Sequence, residues 1–364
     1  NGNFDGSWTE RAFIGLMETS DPASNIWEDK GFVVCSASDK GKTDYGRSSI
    51  NDWEGYFKIN AIDPTYIITE NGEHWLIYGS WHSGIAALQV NPEDGKPLNT
   101  LGNPWDITGE DNSGYGKIIA TRGTSRWQAS EGPEVIYRDG YYYLFLAYGS
   151  LSVEYNTRVC RSRNIDGPYV DIHGNSAMGS AQLYPILTAP YRFDNSYGWV
   201  GISHCGIFDD GAGNWFYTSQ GRFPVNVGGN EYSNAIMMGH VRSIRWDANG
   251  WPLVMPERYG AVPQAPITEN EIAGDWEHLA LTTSTGTQRT SETMTYDLGT
   301  HKITSGSWKN ATWTFDAATQ TITTSAGVVL YLQREVDWEA SPRTHTIVYA
   351  AQGNQKTYWG KKLQ

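Results

Sequence analysis

Cysteine is scarce in this sequence. Cys35, Cys160 and Cys205 are odd in number and far apart, which excludes both a disulfide framework and a Cys-rich zinc site. The redox compartment is left open. No apolar run approaches the roughly 20 residues that span a bilayer, so no membrane-crossing helix is expected. No signal-peptide pattern is present either; the chain opens on Asn1-Gly2-Asn3, as a mature or cleaved product would. Basic residues are outnumbered, 27 against 40 acidic ones, and the formal net charge is −13. Phosphates would be repelled, which excludes nucleic acid and an anionic membrane surface as expected partners. A neutral ligand is the expectation. The helical period is also missing, because long stretches with apolar residues at i, i+3 and i+4 are hard to find.

Glycine and aromatics are what the chain does have. Forty Gly, 16 Trp and 22 Tyr, in a sequence only 39% hydrophobic, predict many short strands joined by tight turns. Aromatic faces suit the C–H patches of sugar rings, although core burial accounts for most such residues in any protein. The strands recur in blocks. One reads 61–69, 74–80 and 84–90; a second 131–138, 141–150 and 157–164; a third 200–208, 214–222 and 235–246. Units of about 70 residues, each mostly strand, predict propeller blades with long insertions. Ahead of them, 12–20 and 27–35 read as strands of an earlier, partial blade. Three blades and a remnant would leave sheet edges open. Further residues ahead of Asn1, about one and a half blades in the same gene product, are therefore expected, attached or as a companion chain.

A length of 364 residues exceeds what one core usually holds, so a second domain is expected. The Pro- and Ala-rich stretch from Pro256 to Ile272 reads as a linker. Beyond it, eight segments alternate at period two: 273–281, 292–299, 301–308, 311–318, 320–325, 327–334, 345–352 and 356–363. They predict a small antiparallel β-barrel of about 90 residues, for support or for sugar binding. The expected division is 1–258 for the propeller, 259–272 for the linker and 273–364 for the barrel.

Hydrolysis of a glycosidic bond needs one carboxylic acid to protonate the leaving oxygen and a carboxylate opposite to activate water. Asp63 and Glu131 open the inner strands of the first two blocks, and His204 holds a comparable place in the third. A lone Asp before Pro is ordinarily a turn residue. Two carboxylates at equivalent strand starts in apolar surroundings are costly unless a partner or a function retains them.

The runs Asn60-Ala61-Ile62-Asp63-Pro64, Tyr78-Gly79-Ser80-Trp81 and Ala129-Ser130-Glu131-Gly132-Pro133 resemble, in this order, glycoside hydrolase family 43. The resemblance covers residues 8 to 255 and is strongest to the arabinanase branch of its five-bladed β-propellers. The run Thr357-Tyr358-Trp359-Gly360-Lys361-Lys362 resembles the lipocalin-like barrel of extended two-domain arabinanases. The resemblance implies an all-β chain supplying about three and a half of five blades, followed by the barrel. It implies secretion and inverting hydrolysis of α-1,5-L-arabinan. Glu131 matches the general acid, and Asp63 matches the residue that orients the acid and raises its pKa, the direction a nearby negative charge works. The general base would be an Asp in a His-Asp-Pro-like motif, which this sequence lacks. Asp5, in Asn-Phe-Asp-Gly-Ser, reads as a loop residue and is not assigned that part. The base is therefore expected from the N-terminal segment or companion chain, and the chain alone is expected to be inactive.

Other matches concern binding. Asn60, Ser80, Trp81 and His82 are expected near the arabinose ring. Trp127 could stack on a sugar or pack under Glu131, and Arg222 could fix a carboxylate or be an ordinary surface residue. His204, in Ile202-Ser203-His204-Cys205-Gly206, matches the histidine that helps hold a hydrated metal, often calcium. Cys205 reads as a small buried side chain. Two alternatives stay open: a propeller hydrolase acting on xylan or arabinoxylan, and a carbohydrate-binding protein that has lost catalysis.

Overall fold

The computed structural model describes residues 12–36, 60–81, 84–99, 113–122, 130–179, 182–193, 196–282 and 286–364. His82, Trp127 and Asp5 lie outside the described residues. Among those described, secondary structure is strand, with short 3-10 turns and no α-helix. No helix is long and apolar enough to cross a membrane.

Strands β1 (Phe13–Glu18) and β2 (Glu28–Cys35) pair antiparallel. A four-stranded sheet follows: β3 (Thr65–Ile68), β4 (His74–Tyr78), β5 (Ile85–Val90) and β6 (Lys117–Ala120), in that order. The next contains β7 (Ser130–Arg138), β8 (Tyr141–Tyr148), β9 (Asn156–Ser162) and β10 (Ile186–Thr188), again in sequence order. After the short β11 (Tyr191–Arg192) comes a third meander of β12 (Gly206–Asp209), β13 (Trp215–Arg222), β14 (Met237–Trp246) and β15 (Pro252–Val254). Local chemistry explains the reversals. Between β7 and β8 only Asp139 and Gly140 intervene, at φ 50° and 79°. An Asp-Gly pair with both φ positive is the two-residue turn whose twist matches a hairpin.

The C-terminal strands are β16 (Gly274–Leu281), β17 (Arg289–Thr290), β18 (Glu292–Asp297), β19 (Lys302–Ile303), β20 (Trp313–Asp316), β21 (Thr321–Thr324), β22 (Val329–Asp337), β23 (Thr344–Gly353) and β24 (Lys356–Lys362). Eight form one sheet in the order β19-β18-β16-β24-β23-β22-β21-β20, while β17 pairs with β11 in parallel. A bridge between Lys302 and Thr312, with Trp313 N–H donating to His301 O at 2.9 Å, brings the two ends of the eight-stranded sheet together as a barrel.

The described residues fall into two compact units. The first takes those up to Ala147 and from Cys160 to Gly179; the second takes Tyr148–Val159 and the chain from Gln182 onward. In the first, Val34, Tyr78, Ala86, Leu88 and Tyr115 build a core between β2, β4 and β5. In the second, alternation along β23 sends Ile347, Tyr349 and Ala351 into the barrel with Trp276, Tyr296 and Trp313. Its other face, Val348 and Ala350, joins Trp359, Leu279 and Leu281 against Ile186, Trp199, Leu253 and Met255. The Trp359 indole N–H donates to Val254 O at 2.8 Å, tying β24 to β15. The barrel wall is thus fused to the third meander by a core of its own.

An ion cluster lies in the same unit. Lys361 Nζ, 2% exposed, contacts Glu339 at 2.8 Å, Asp337 at 2.9 Å and Glu257 at 3.1 Å. It also lies 4.3 Å from the Phe193 ring centroid. Burial alone would lower the Lys361 pKa, but the carboxylates around it outweigh burial and raise it. Desolvation, reinforced by Glu339, pushes Glu257 well above the ordinary carboxylate range.

Two buried histidines make stability depend on pH. His240, edge-on to Trp199, is pushed down to about 2 by burial, then by Arg242 and Arg258. His278, bonded through Nδ1 to the Tyr349 hydroxyl at 2.6 Å, is pushed down to about 3 by burial. Below the unfolded value of about 6.5 the unfolded chain takes up protons that these side chains refuse. Stability therefore falls as pH drops from about 6.5 toward 3, by about 1.4 kcal/mol per pH unit for each histidine. Urea midpoints at pH 7.5 and pH 5 should differ accordingly, and replacing either histidine with Phe should flatten the slope. An unchanged slope in both variants would contradict this.

Candidate active site

Glu131 is the second residue of β7, and the segment leading out of β4 runs beside it. Trp81 N–H donates to Ser130 O at 2.9 Å, which holds residues 79–81 alongside the strand. Ser80 Oγ then reaches Glu131 Oε2 at 3.1 Å, and the Trp81 indole N–H reaches the same oxygen at 2.7 Å. Gly79 makes this approach possible. At its φ of 127° a Cβ would sit 2.4 Å from Gly84 O, so no side chain fits there.

Asp63 precedes β3 by two residues. Its Oδ2 accepts from Gly132 N–H at 3.2 Å, the peptide immediately after Glu131. Asp63 is thereby anchored to the strand start that carries Glu131. Asn60 stands behind them: its Oδ1 accepts from Ser36 Oγ at 3.3 Å, while Ser36 Oγ accepts from Ala61 N–H at 3.0 Å. Ser36, fully buried, is a supporting residue that sequence reasoning missed, since nothing local signals a contact across 24 residues.

Backbone strain marks the same positions. Asp63, Trp81 and His204 adopt φ of 54°, 57° and 58°. Left-handed conformations in residues other than Gly cost about 1–3 kcal/mol each and persist where surroundings over-determine them. Asp63 and His204 each stand two residues ahead of a strand, β3 and β12, an equivalence the repeated blocks predicted.

The hydrogen bonds dictate where a proton can sit. An indole N–H only donates, so Glu131 Oε2 acts as an acceptor. These donors favour negative charge on Oε2, which leaves Oε1 the better site for a proton. A carboxylic acid so arranged can hand its proton to an oxygen without losing the contacts that orient it.

In the second unit, His204 is exposed and its Nδ1 lies 3.1 Å from the Tyr155 hydroxyl. Behind it lies a buried hydroxyl network, another feature missed in the sequence. Thr157 Oγ1 meets Ser203 Oγ at 2.8 Å and the Tyr217 hydroxyl at 2.7 Å, and Thr188 Oγ1 donates to Ile202 O at 2.7 Å. Burial pushes the Tyr217 phenol up, so it stays a neutral donor. With Nδ1 beside the Tyr155 hydroxyl, His204 offers an ion one imidazole nitrogen at most. One imidazole nitrogen fits a hydrated cation and does not fit a calcium caged by protein oxygens. Among the described residues, the carboxylates close enough to hold an ion are Glu257, Asp337 and Glu339, and Lys361 Nζ already lies among them. Cys205 is buried, as expected. Arg222 Nη1 donates to Asn234 O at 3.0 Å, which gives it a loop-holding role.

Comparison with known proteins agrees with this architecture. Residues 17–252 match the model of glycosyl hydrolases family 43, and 256–360 match a C-terminal lipocalin-like domain. An extracellular endo-α-(1→5)-L-arabinanase 2 of Bacillus subtilis is 30% identical over 240 residues, 60% of this chain and 46% of its own length. An extracellular endo-α-(1→5)-L-arabinanase of Thermotoga petrophila is 30% identical over 239 residues, with the same coverage. The chain thus spans about half the length of these curated relatives. Among solved structures, a glycoside hydrolase family 43 protein from Bacillus licheniformis superposes with a TM-score of 0.76 at 25% identity, over 96% of this chain and 77% of that one. Matched through both its N-terminal sheets and its barrel, the chain belongs to glycoside hydrolase family 43.

Proposed function

We propose that this chain hydrolyses α-1,5-L-arabinofuranosyl linkages in arabinan with inversion, Glu131 serving as the general acid. The observation that carries the proposal is the pair of donors on one oxygen of Glu131, Ser80 Oγ and Trp81 Nε1, with Asp63 bound to the next peptide. Oε1 delivers the proton to the leaving oxygen. Asp63 holds the strand start in place through Gly132 N–H. Asn60, Ser80 and Trp81 contact the sugar in this reading. The arabinanase names of the relatives support the substrate, and their extracellular description supports secretion.

No His-Asp-Pro triplet occurs in the 364 residues. In this proposal the water-activating carboxylate comes from a partner polypeptide of the same gene product, which completes a five-bladed propeller of which residues 1–258 form about three and a half blades. Residues 259–272 are the linker, and 273–364 the barrel.

The test is incubation with linear arabinan, with and without a polypeptide bearing a His-Asp-Pro strand. Arabino-oligosaccharides should form only in its presence, and arabinoxylan should stay intact. Cleavage of arabinoxylan in preference to arabinan would overturn the substrate assignment. Intact mass spectrometry of the purified protein would show one polypeptide or two.

A hydrated calcium ion held by His204 would supply electrostatic stabilisation beside the start of β12. A chelator should lower Tm by about 2–5 °C in the parent and by nothing in His204→Ala, as expected when a bound ion stabilises only the folded state. Equal responses would remove the ion from His204.

A further inference from the structure

An open cleft of about 690 Å³ lies in the second unit, away from Glu131 in sequence and built from three sources. The third meander supplies Trp215 and Phe216 from β13 and Arg245 and Trp246 from β14, held side by side by the register Trp215↔Ile244. The linker supplies Tyr259 and Gln264. The barrel supplies Gln320, ahead of β21, and Gln333 on β22.

Its chemistry is selective. The Trp215 and Trp246 rings meet edge to face at 5.5 Å, and the Tyr259 ring, 42% exposed, meets Phe216 edge to face at 4.9 Å. Ring packing of this kind fixes aromatic faces at little entropic cost when a ligand arrives. The chain carries 40 acidic residues, yet none lines the cleft. Its one charged lining residue, Arg245, already donates to the backbone carbonyls of Thr319, Gln320 and Leu332. Neither a cation nor an anion finds a counter-charge here. Of its four amide side chains, Gln264 and Gln320 are held by backbone groups of Val262, Arg334, Ile267 and Ala317, and Asn214 donates to Asp210. These three shape an uncharged wall, while Gln333 offers an uncharged donor and acceptor. The volume lies within the range of small-ligand sites.

We infer that this cleft binds a neutral oligosaccharide, a stretch of the arabinan chain, at a second site distinct from the Glu131 site. Because this rests on the arabinan-cleaving role proposed above, binding and turnover must be read separately. A polymer gripped here is kept at the protein surface between cleavage events. It would also give the barrel a part in binding, through Gln333.

The probe is linear arabinan set into a native gel, with retardation measured for the full chain. Binding needs no turnover, so absence of the general base does not affect it. Trp215→Ala should raise the apparent Kd at least about tenfold, a loss expected when an aromatic anchor is truncated. Gln333→Ala should weaken binding several-fold, and serves if Trp215→Ala does not fold. Retardation of the parent that neither variant changes, at unaltered Tm, overturns the second site while leaving the Glu131 assignment intact. No retardation of the parent also overturns it. Retardation that depends on Trp215, without arabinan cleavage in the complemented protein, supports the cleft and refutes the proposed activity.

Discussion

Replacing Glu131 with Gln should lower kcat on linear arabinan by at least about 1,000-fold, within the range that a positioned acid contributes. The substitution keeps shape and size, and Gln can place its carbonyl oxygen where Oε2 accepts from Ser80 and Trp81. Stability should therefore change little, with Tm within about 2 °C of the parent. What is lost is the proton on the other oxygen. Asp63→Asn separates orientation from charge. The amide can still accept from Gly132 N–H, so the strand start keeps its place while the negative charge is lost. The expected result is a lower kcat on arabinan, with Tm within about 2 °C of the parent. These rates must be measured with the water-activating carboxylate supplied. An active Glu131→Gln protein would remove that residue from its role.

The largest stability effect should come from Lys361→Met. The side chain is buried among Glu257, Asp337 and Glu339, on the outer face of β24 that it shares with Trp359. Removing the one cation leaves several carboxyl groups desolvated and repelling one another. Breaking a buried ion cluster in this way costs about 3–5 kcal/mol. The urea midpoint should fall in proportion, because the area exposed on unfolding is hardly altered. Adding Glu257→Gln and Glu339→Gln should return part of the loss, since neutral amides need no counter-ion. A midpoint within error of the parent for Lys361→Met would show that the cluster is not a stabilising one.

Much of the fold was legible because strands announce themselves at period two. All eight alternating segments after the linker became the strands of the barrel sheet, and within each block the successive apolar runs became consecutive strands. The fourth strand of each sheet was not legible. Strands β6, β10 and β15 have four, three and three residues, too few for alternation to stand out from a loop. The third block also opened later than its apolar pattern. Residues 200–205 lie ahead of β12, bent by the left-handed His204.

The candidate site was legible where chemistry is carried by local words. Asp63-Pro64, Gly79-Ser80-Trp81 and Glu131-Gly132-Pro133 are short runs, and the structure places Ser80 and Trp81 on Glu131 and Asp63 on the peptide beside it. What holds them was not legible. Ser36 under Asn60, Tyr155 against His204 and the Thr157–Tyr217 hydroxyl chain are ordinary strand and loop residues, brought in by long-range pairing. The cleft beside the barrel was hidden for the same reason: its walls lie about a hundred residues apart along the chain.

Leaving-group dependence tests the central assignment most directly. With the water-activating carboxylate supplied, the parent and Glu131→Gln are compared on arabinan and on a nitrophenyl arabino-oligosaccharide, whose phenolate departs without a proton. If Glu131 protonates the leaving oxygen, the loss should be at least about 100-fold larger on arabinan than on the activated substrate. Equal losses on both would assign Glu131 to binding or folding and contradict its role as the acid.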